Sequence, residues 1–447
     1  MPVPAPGQDE DLSSLVSQEL STDSDLSPPA GVAPEGFRGG FAQTFHALRH
    51  RNFRLFIGGQ IVSLVGTWMQ NVAQAWLVYR LTHSELLLGT TWFCTQIPVF
   101  LLGPIGGLVA DRYSRHRLVM LTQAVSMLQA FALAALTVTG RVAVEHVLAL
   151  AVVLGIVNAF DMPARQSLII RMTSKEDLLN AISLNSAVFN AARVIGPAVA
   201  GVLVAVVGEG ACFFLNGVSF LAVIACLAAM RLPRFERRTQ DSPWAHLVDG
   251  FRFAHHHRAV RTLLLMLAAC TISGMPALVL MPFFADDIFH RGSRGLGFLL
   301  GAMGVGAVVG TLVLAGRERV ARLPRVIVYS SLTMGLSFML FAWSPWFALS
   351  LAIMPVIGFS VMRQMASANT LIQCLIPDEY RGRIMALYAM TVVGLGPFGS
   401  LAAGFLAART GARTTVMLGG LLGVAASLVF RLKARAVTRA TAKSGTA

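Results

Sequence analysis

Gln60, Ser63, Thr67, Gln70, Asn71 and Gln74 recur every three or four residues in an otherwise apolar segment. That period places them on one face of a helix. Hydrocarbon offers such groups no hydrogen-bond partner, so the row must face protein or a water-filled cavity. It either lines a solute pathway or bonds neighbouring helices. Trp68 and Trp76 beside it could contact a hydrophobic ligand or anchor the helix at a lipid interface. A second group is Asn158-Ala159-Phe160-Asp161-Met162-Pro163-Ala164-Arg165-Gln166. Asp161 is the one carboxylate placed well inside an apolar run. A charge there costs at least ~2.5–3.5 kcal/mol on insertion scales, so a partner is expected. Arg165 is one turn away on the same face, and Arg112 or Arg193 could reach it from other runs. Asp161 is then either a proton-coupling carboxylate or an ion pair that latches an inner gate with the Arg112 loop. Arg193 sits mid-run, where it could meet Asp161 or an anionic group of a solute. Gly196, Pro197 and Gly201 follow it. Proline frees a backbone carbonyl and glycine permits close approach, so this stretch either bends or packs tightly.

The elements that must position these residues are membrane helices. The 447 residues are 55% hydrophobic and 13% charged, against roughly 25% charged in soluble domains. The formal net charge of +14 does not imply nucleic acid, because the bases sit in short loops between apolar runs and form no stripe. Crossing about 30 Å of hydrocarbon takes ~20 residues. Runs of that length lie near 54–79, 86–109, 117–139, 146–169, 179–207 and 211–230, then 261–284, 295–315, 326–344, 347–370, 383–408 and 412–431. The expected fold is an all-α polytopic membrane protein of twelve transmembrane helices in two pseudo-symmetric six-helix bundles. Alternate loops carry most of the arginines, including Arg112, Arg115, Arg117, Arg171, Arg381 and Arg383. The other loops hold only Arg80, Arg141, Arg291, Arg294, Arg409 and Arg413. The bias places both termini in the cytoplasm of a multi-pass cell-membrane protein.

Residues 1–36 are Pro-, Ser- and acid-rich and read as a disordered cytoplasmic tail. Residues 39–54 should lie at the inner surface. The first bundle spans 37–230. A linker over 231–260 contains an interfacial helix near Trp244–Phe253, the second bundle spans 261–431, and 432–447 form a basic tail. Shifting the first half by 203 residues brings Gly201 onto Gly404, Gly208 onto Gly411 and Asp161 onto Gln364, and pairs Gly196 with Gly396 after a local slip. Two such repeats with a solute path between them is a transporter architecture.

Three motifs carry a family resemblance. Gly106-Gly107-Leu108-Val109-Ala110-Asp111-Arg112-Tyr113-Ser114-Arg115-His116-Arg117 resembles the loop between the second and third helices of major facilitator superfamily transporters. The run from Gly196 to Gly201 resembles the antiporter motif of that superfamily's drug exporters. Ile376–Ile384, with Asn158–Gln166, resembles the branch that includes the enterobactin exporter and macrolide efflux proteins, of the transmembrane secretion effector type. The resemblance covers about residues 45–430. It implies a proton-driven exporter working by alternating access, with Gly107, Asp111, Arg112, Arg115, Asp161, Arg165, Gly196, Pro197, Gly201, Arg381 and Arg383 in gating or coupling. Gln60, Ser63, Thr67, Gln70, Asn71, Gln74, Asn158 and Arg193 are the expected cavity residues.

The chain holds no nucleotide loop, nucleophile elbow or paired carboxylates, so neither an enzyme nor an ATP-driven pump is expected. His255-His256-His257 would not face one way on a helix, and no metal or other cofactor is expected. The expected partners are a small-molecule substrate and the lipid bilayer, with no nucleic acid, and the expected state is a monomer. The leading function is efflux of an amphipathic small molecule: a drug, a secondary metabolite or a siderophore. Metabolite uptake, lipid movement between leaflets and a non-transporting receptor or scaffold are the alternatives.

Overall fold

The computed structural model describes residues 45–174, 176–230, 243–315 and 320–443. The tail at 1–36 and several linker bases, among them Arg234 and Arg238, lie outside the described residues. From Ala47 onward the chain forms one compact unit. The first half comprises α1 (Arg51–Thr82), α2 (Glu85–Arg112), α3 (Arg115–Val138), α4 (Val144–Ile169), α5 (Leu178–Val207) and α6 (Glu209–Ala228). The linker holds α7 (Pro243–His256). The second half comprises α8 (Arg258–Val279), α9 (Gly292–Ala315), α10 (Leu323–Trp343), α11 (Phe347–Leu375), α12 (Asp378–Ala389), α13 (Leu395–Thr410) and α14 (Ala412–Lys443). A π-helical turn, Met390–Gly394, joins α12 to α13, so these make one crossing.

Eleven helical stretches among the described residues are long and apolar enough to cross a bilayer. The first expected crossing, α1, has ample length at 32 residues. Its polar row and Arg51 and Arg54 keep its hydropathy down. Two boundaries differ from expectation. Phe53, Phe56 and Ile57 are buried, so the part of the 39–54 segment from Arg51 on belongs to α1. The basic stretch from 432 continues α14 as helix to Lys443, a run with no proline or glycine.

Packing follows the same plan in each half. In the first, α2 packs on α4, α3 on α4 and α6, and α1 on α5 and α6. In the second, α9 packs on α11, α10 on α11 and α14, and α8 on α13 and α14. The halves meet along two seams, α5 with α9 and α13 with α2. Gly208 and Gly411 both end their helices at positive φ, 93° and 83°, where a side chain would be strained. The repeat is therefore realised in the backbone. Gly196 lies against Val65 and Trp68 of α1, and its counterpart against α8 is Gly399, beside Ile272 and Met275. The 203-residue shift thus holds without the slip to Gly396.

One end of the molecule carries the α2–α3 and α4–α5 turns and α7. It is rich in arginine and is called the basic end. The far end carries the α1–α2, α5–α6 and α13–α14 turns.

Candidate functional site

Both seams close tightly toward the far end. A Cβ on Gly201 would come within 2.8 Å of the Gly297 Cα and of the Ser293 carbonyl. A Cβ on Gly404 would come within 2.6 Å of the Glu85 carbonyl and 3.1 Å of the Gly89 Cα. Only glycine permits these approaches, as in small-residue membrane contacts generally. The Ser293 hydroxyl also donates to the Gly201 carbonyl at 3.3 Å. Beyond the seams the Tyr79 hydroxyl lies 2.9 Å from Asp286 Oδ2 and 2.9 Å from Asp287 Oδ1, in the π-helical turn after α8. Its ring meets Phe283 edge-on at 4.9 Å. This is a clasp between the two halves. A hydrogen bond to a charged group contributes about 1.5–3 kcal/mol, and Tyr79→Phe removes the donor from both carboxylates. The variant is expected to raise labelling of a Ser293→Cys thiol by a membrane-impermeant maleimide. Unchanged labelling would show that the clasp is dispensable.

Toward the basic end the halves part. Gly103, Gly107 and Gly396 have nothing within 4 Å of the point where a Cβ would stand. A cavity of about 830 Å³ opens between α2 and α4 on one side and α12 and its π-helical turn on the other. Its walls are largely apolar, with Val99, Phe100, Met162 and Met390, and carry polar Asn158 and Gln166. Glu379 and Arg383 stand on its second-half wall. Arg383 lies 3.4 Å from Asp249 of α7 and 5.4 Å over the Tyr380 ring, which stacks on Phe253. The linker helix is thereby fastened to the cavity wall. Arg381 is exposed.

A recess of about 190 Å³ lies within the first half between α1, α2 and α4. Thr67, Asn71 and Gln74 line it with Trp68, Trp92 and Gln96. Asn158 borders both cavities.

The polar row of α1 therefore divides. Thr67, Asn71 and Gln74 face the recess. Gln70, 2% exposed, donates to Gln129 of α3 at 3.0 Å and accepts from Asn216 of α6 at 2.7 Å. Gln60 accepts from Arg165 at 2.6 Å, and Ser63 is buried. Gln60 and Gln70 thus bond neighbouring helices and line neither cavity.

Asp161 is 4% exposed and well supplied with partners. It pairs with Arg165 one turn on, and accepts from Thr122 at 2.7 Å and Gln123 at 3.0 Å. Through Arg165 and Gln60 the network ties α4 to α3 and α1. The partner one turn away is thus the one helical spacing offered, and the further candidates Arg112 and Arg193 stand elsewhere. Arg112 is exposed, and Arg115 bonds Asp111 at 3.1 Å within its own turn. Arg193 stands over the Trp68 ring at 5.8 Å. Two of the three adjacent histidines serve backbone: His256 Nδ1 at the end of α7 lies 2.7 Å from the Arg252 carbonyl, and His257 caps α8 by accepting from the Val260 amide.

Sequence reasoning missed Thr122, Gln123 and Gln129. They sit among apolar residues on α3 in the same way as the row on α1, which was a readable signal. It also missed the Tyr79 clasp, whose partners lie more than 200 residues away.

The model describing transmembrane secretion effectors matches residues 42–445. The chain belongs to this family. The secretion effector is 24% identical over 383 residues to the staphyloferrin A transporter of Staphylococcus aureus, covering 84% of this chain and 95% of that one. It is 26% identical over 393 residues to the multidrug efflux pump Tap of Mycolicibacterium fortuitum, covering 85% and 96%. Among solved structures its fold is similar to a bacterial homologue of the iron transporter ferroportin in an inward-facing state, with a TM-score of 0.68, 17% identity and coverage of 86% and 98%. It is a multi-pass transporter of the major facilitator superfamily and not an enzyme.

Proposed function

We propose that this secretion effector exports an amphipathic small molecule across the cell membrane by alternating access and proton antiport. The observation that carries the reading is the opposed state of the two ends. The seams and the Tyr79 clasp close the far end, while a mostly apolar cavity of about 830 Å³ opens at the arginine-rich end. By charge bias the arginine-rich end, with both termini, is cytoplasmic. A solute then enters from the cytoplasm or inner leaflet past Arg383 and Glu379, and reaches Asn158, Asn71 and Gln74. The unopposed glycines Gly103, Gly107 and Gly396 are of the residue type that closes the far end. In the opposite state they form the matching seam, and the Asp111, Arg112 and Arg115 turn closes beside Arg381 and Arg383. Pro197 and Gly201 supply the packing surface against Gly297 on which the halves rock, and Gly196 seats α5 on α1 within the first half. The names of the relatives, a siderophore transporter and a multidrug efflux pump, support export of a drug, secondary metabolite or siderophore. The two six-helix bundles move as bodies within a monomer, with the linker as the strap between them.

Everted membrane vesicles test the reading. Candidate solutes are expected to accumulate inside when an inward-acid proton gradient is imposed, and to leak away when an uncoupler collapses it. Equilibration independent of the gradient would establish a facilitator instead.

A further inference from the structure

We infer that Arg193, with Trp68 and Phe189, forms a receptor for an oxyanion borne on an aromatic or apolar body, an inference that rests on the transport reading of the cavity. Arg193 is the sixteenth of the 30 residues of α5, at the middle of a span. A guanidinium at that depth is costly and calls for a partner. Two other arginines lie within spans: Arg165 is held by Asp161 and Gln60, and Arg363, midway along α11, stands over the Phe359 ring at 5.5 Å. Among the described residues no carboxylate lies within 4 Å of Arg193, and its guanidinium makes no hydrogen bond. None of its nitrogens is sealed from contact. The group it stands over is the Trp68 ring.

Helical spacing gives the direction in which it points. Ile195, Val199, Val202 and Val206 are exposed and form one stripe of α5, the lipid-facing one. Ile182, 47% exposed, and Phe189, 44% exposed, lie at spacings of eleven and four from Arg193, about half a turn from that stripe. Phe189 meets the Trp68 ring edge-on at 5.8 Å. Trp68 in turn borders the recess with Asn71, Gln74, Gln96 and Asn158. Arg193 and Phe189 thus meet on the Trp68 ring, and Trp68 is the side chain that joins them to the carboxamides of the recess. The one acid lining either cavity among the described residues is Glu379, at the mouth. Low-dielectric walls concentrate the field of an unneutralised cation. A guanidinium pairs with carboxylate or phosphate through two parallel hydrogen bonds, and the rings take a flat apolar body. A cationic solute meets repulsion at this position.

The experiment uses the full chain in nanodiscs of zwitterionic lipid and three probes on one skeleton: 2-naphthylacetate, 2-naphthylacetamide and 2-(2-naphthyl)ethylammonium. Binding is measured by calorimetry. The acetate is expected to bind about tenfold more tightly than the amide, roughly the discrimination of one desolvated charged hydrogen bond, and the ammonium most weakly. Arg193→Gln is expected to bring acetate and amide to one affinity, and Arg193→Lys to keep part of the preference. Trp68→Leu is expected to weaken all three while keeping their order. Equal binding of the three probes to the native protein, or a preference that survives in Arg193→Gln, overturns the inference. If phosphatidylglycerol in the disc weakens acetate alone, the oxyanion site stands and its occupant is a lipid phosphate. Charge-selective binding by a protein that moves no solute would sink the export reading alone. Proton-driven export with no charge preference would sink this inference alone.

Discussion

Gly201→Val is expected to abolish transport and to leave the far end open. The native Cα of Gly297 would sit 2.8 Å from the new Cβ, and the Ser293 carbonyl equally near. Both neighbours are backbone, which cannot swing aside as a side chain does. The branched residue adds two further methyls to that contact. Relief comes only by parting α5 from α9, which breaks the seam and the bond from Ser293 to Gly201. Overpacking in a close-fitted interior commonly costs about 1–3 kcal/mol. That is enough to reverse a balance between two states separated by a few kcal/mol. Gly404→Val, at the related position on α13, is expected to act alike through Gly89. Gly58 has open space around it and provides the control, since Gly58→Ala adds helix propensity and removes unfolded-chain freedom. The measurement is the rate at which an impermeant maleimide modifies Ser293→Cys in a chain freed of Cys94, Cys212, Cys226, Cys270 and Cys374. Fast labelling with lost transport is the expected pair of results. Slow labelling with transport intact in both valine variants would show that the seams do not gate.

The glycine argument also shows what a sequence of this kind discloses. The crossings were legible because hydropathy repeats eleven times, length adds α1 to the set, and the alternating loop charge checks them all. The repeat itself was legible in Gly201, Gly208, Gly404 and Gly411, because a backbone that must turn at positive φ or approach another backbone admits one residue type. Legibility fell where one residue type serves two physical ends. Gln70 and Gln74 are neighbours in the same polar row, and nothing in composition separates a carboxamide bonding α3 and α6 from one bordering a recess. The separation is set by which helix lies opposite, a property of the packed bundle. Helical spacing pointed to Arg165 as the partner of Asp161, with Arg112 or Arg193 as further candidates on charge alone; the packed bundle pairs it with Arg165 and adds Thr122 and Gln123.

Breaking the Asp161 network separates its two possible uses. Arg165→Met leaves a carboxylate that is 6% exposed facing only Thr122 and Gln123. Removing one partner of a buried pair costs about 3–5 kcal/mol, because the remaining charge is uncompensated. Asp161→Asn strands a guanidinium instead, but the Arg165 side chain is 22% exposed and keeps its bond to Gln60. It can be hydrated, so this variant is expected to lose less. In the double variant, Asp161→Asn with Arg165→Gln, neither charge remains to be desolvated. It is expected to recover more than half of the thermal stability lost in Arg165→Met, read as the midpoint temperature for loss of the monodisperse peak in size-exclusion chromatography. A clasp of α1, α3 and α4 requires stability to follow charge balance in this order, and gradient-driven accumulation to persist in the double variant with the native pH profile. A double variant that is as stable as the native chain, yet carries solute only down its own gradient, would make Asp161 the proton-coupling group. The geometry favours the first outcome. One oxygen of Asp161 is paired with Arg165 and the other accepts from Thr122 and Gln123, so the carboxylate is placed to tie α3 to α4.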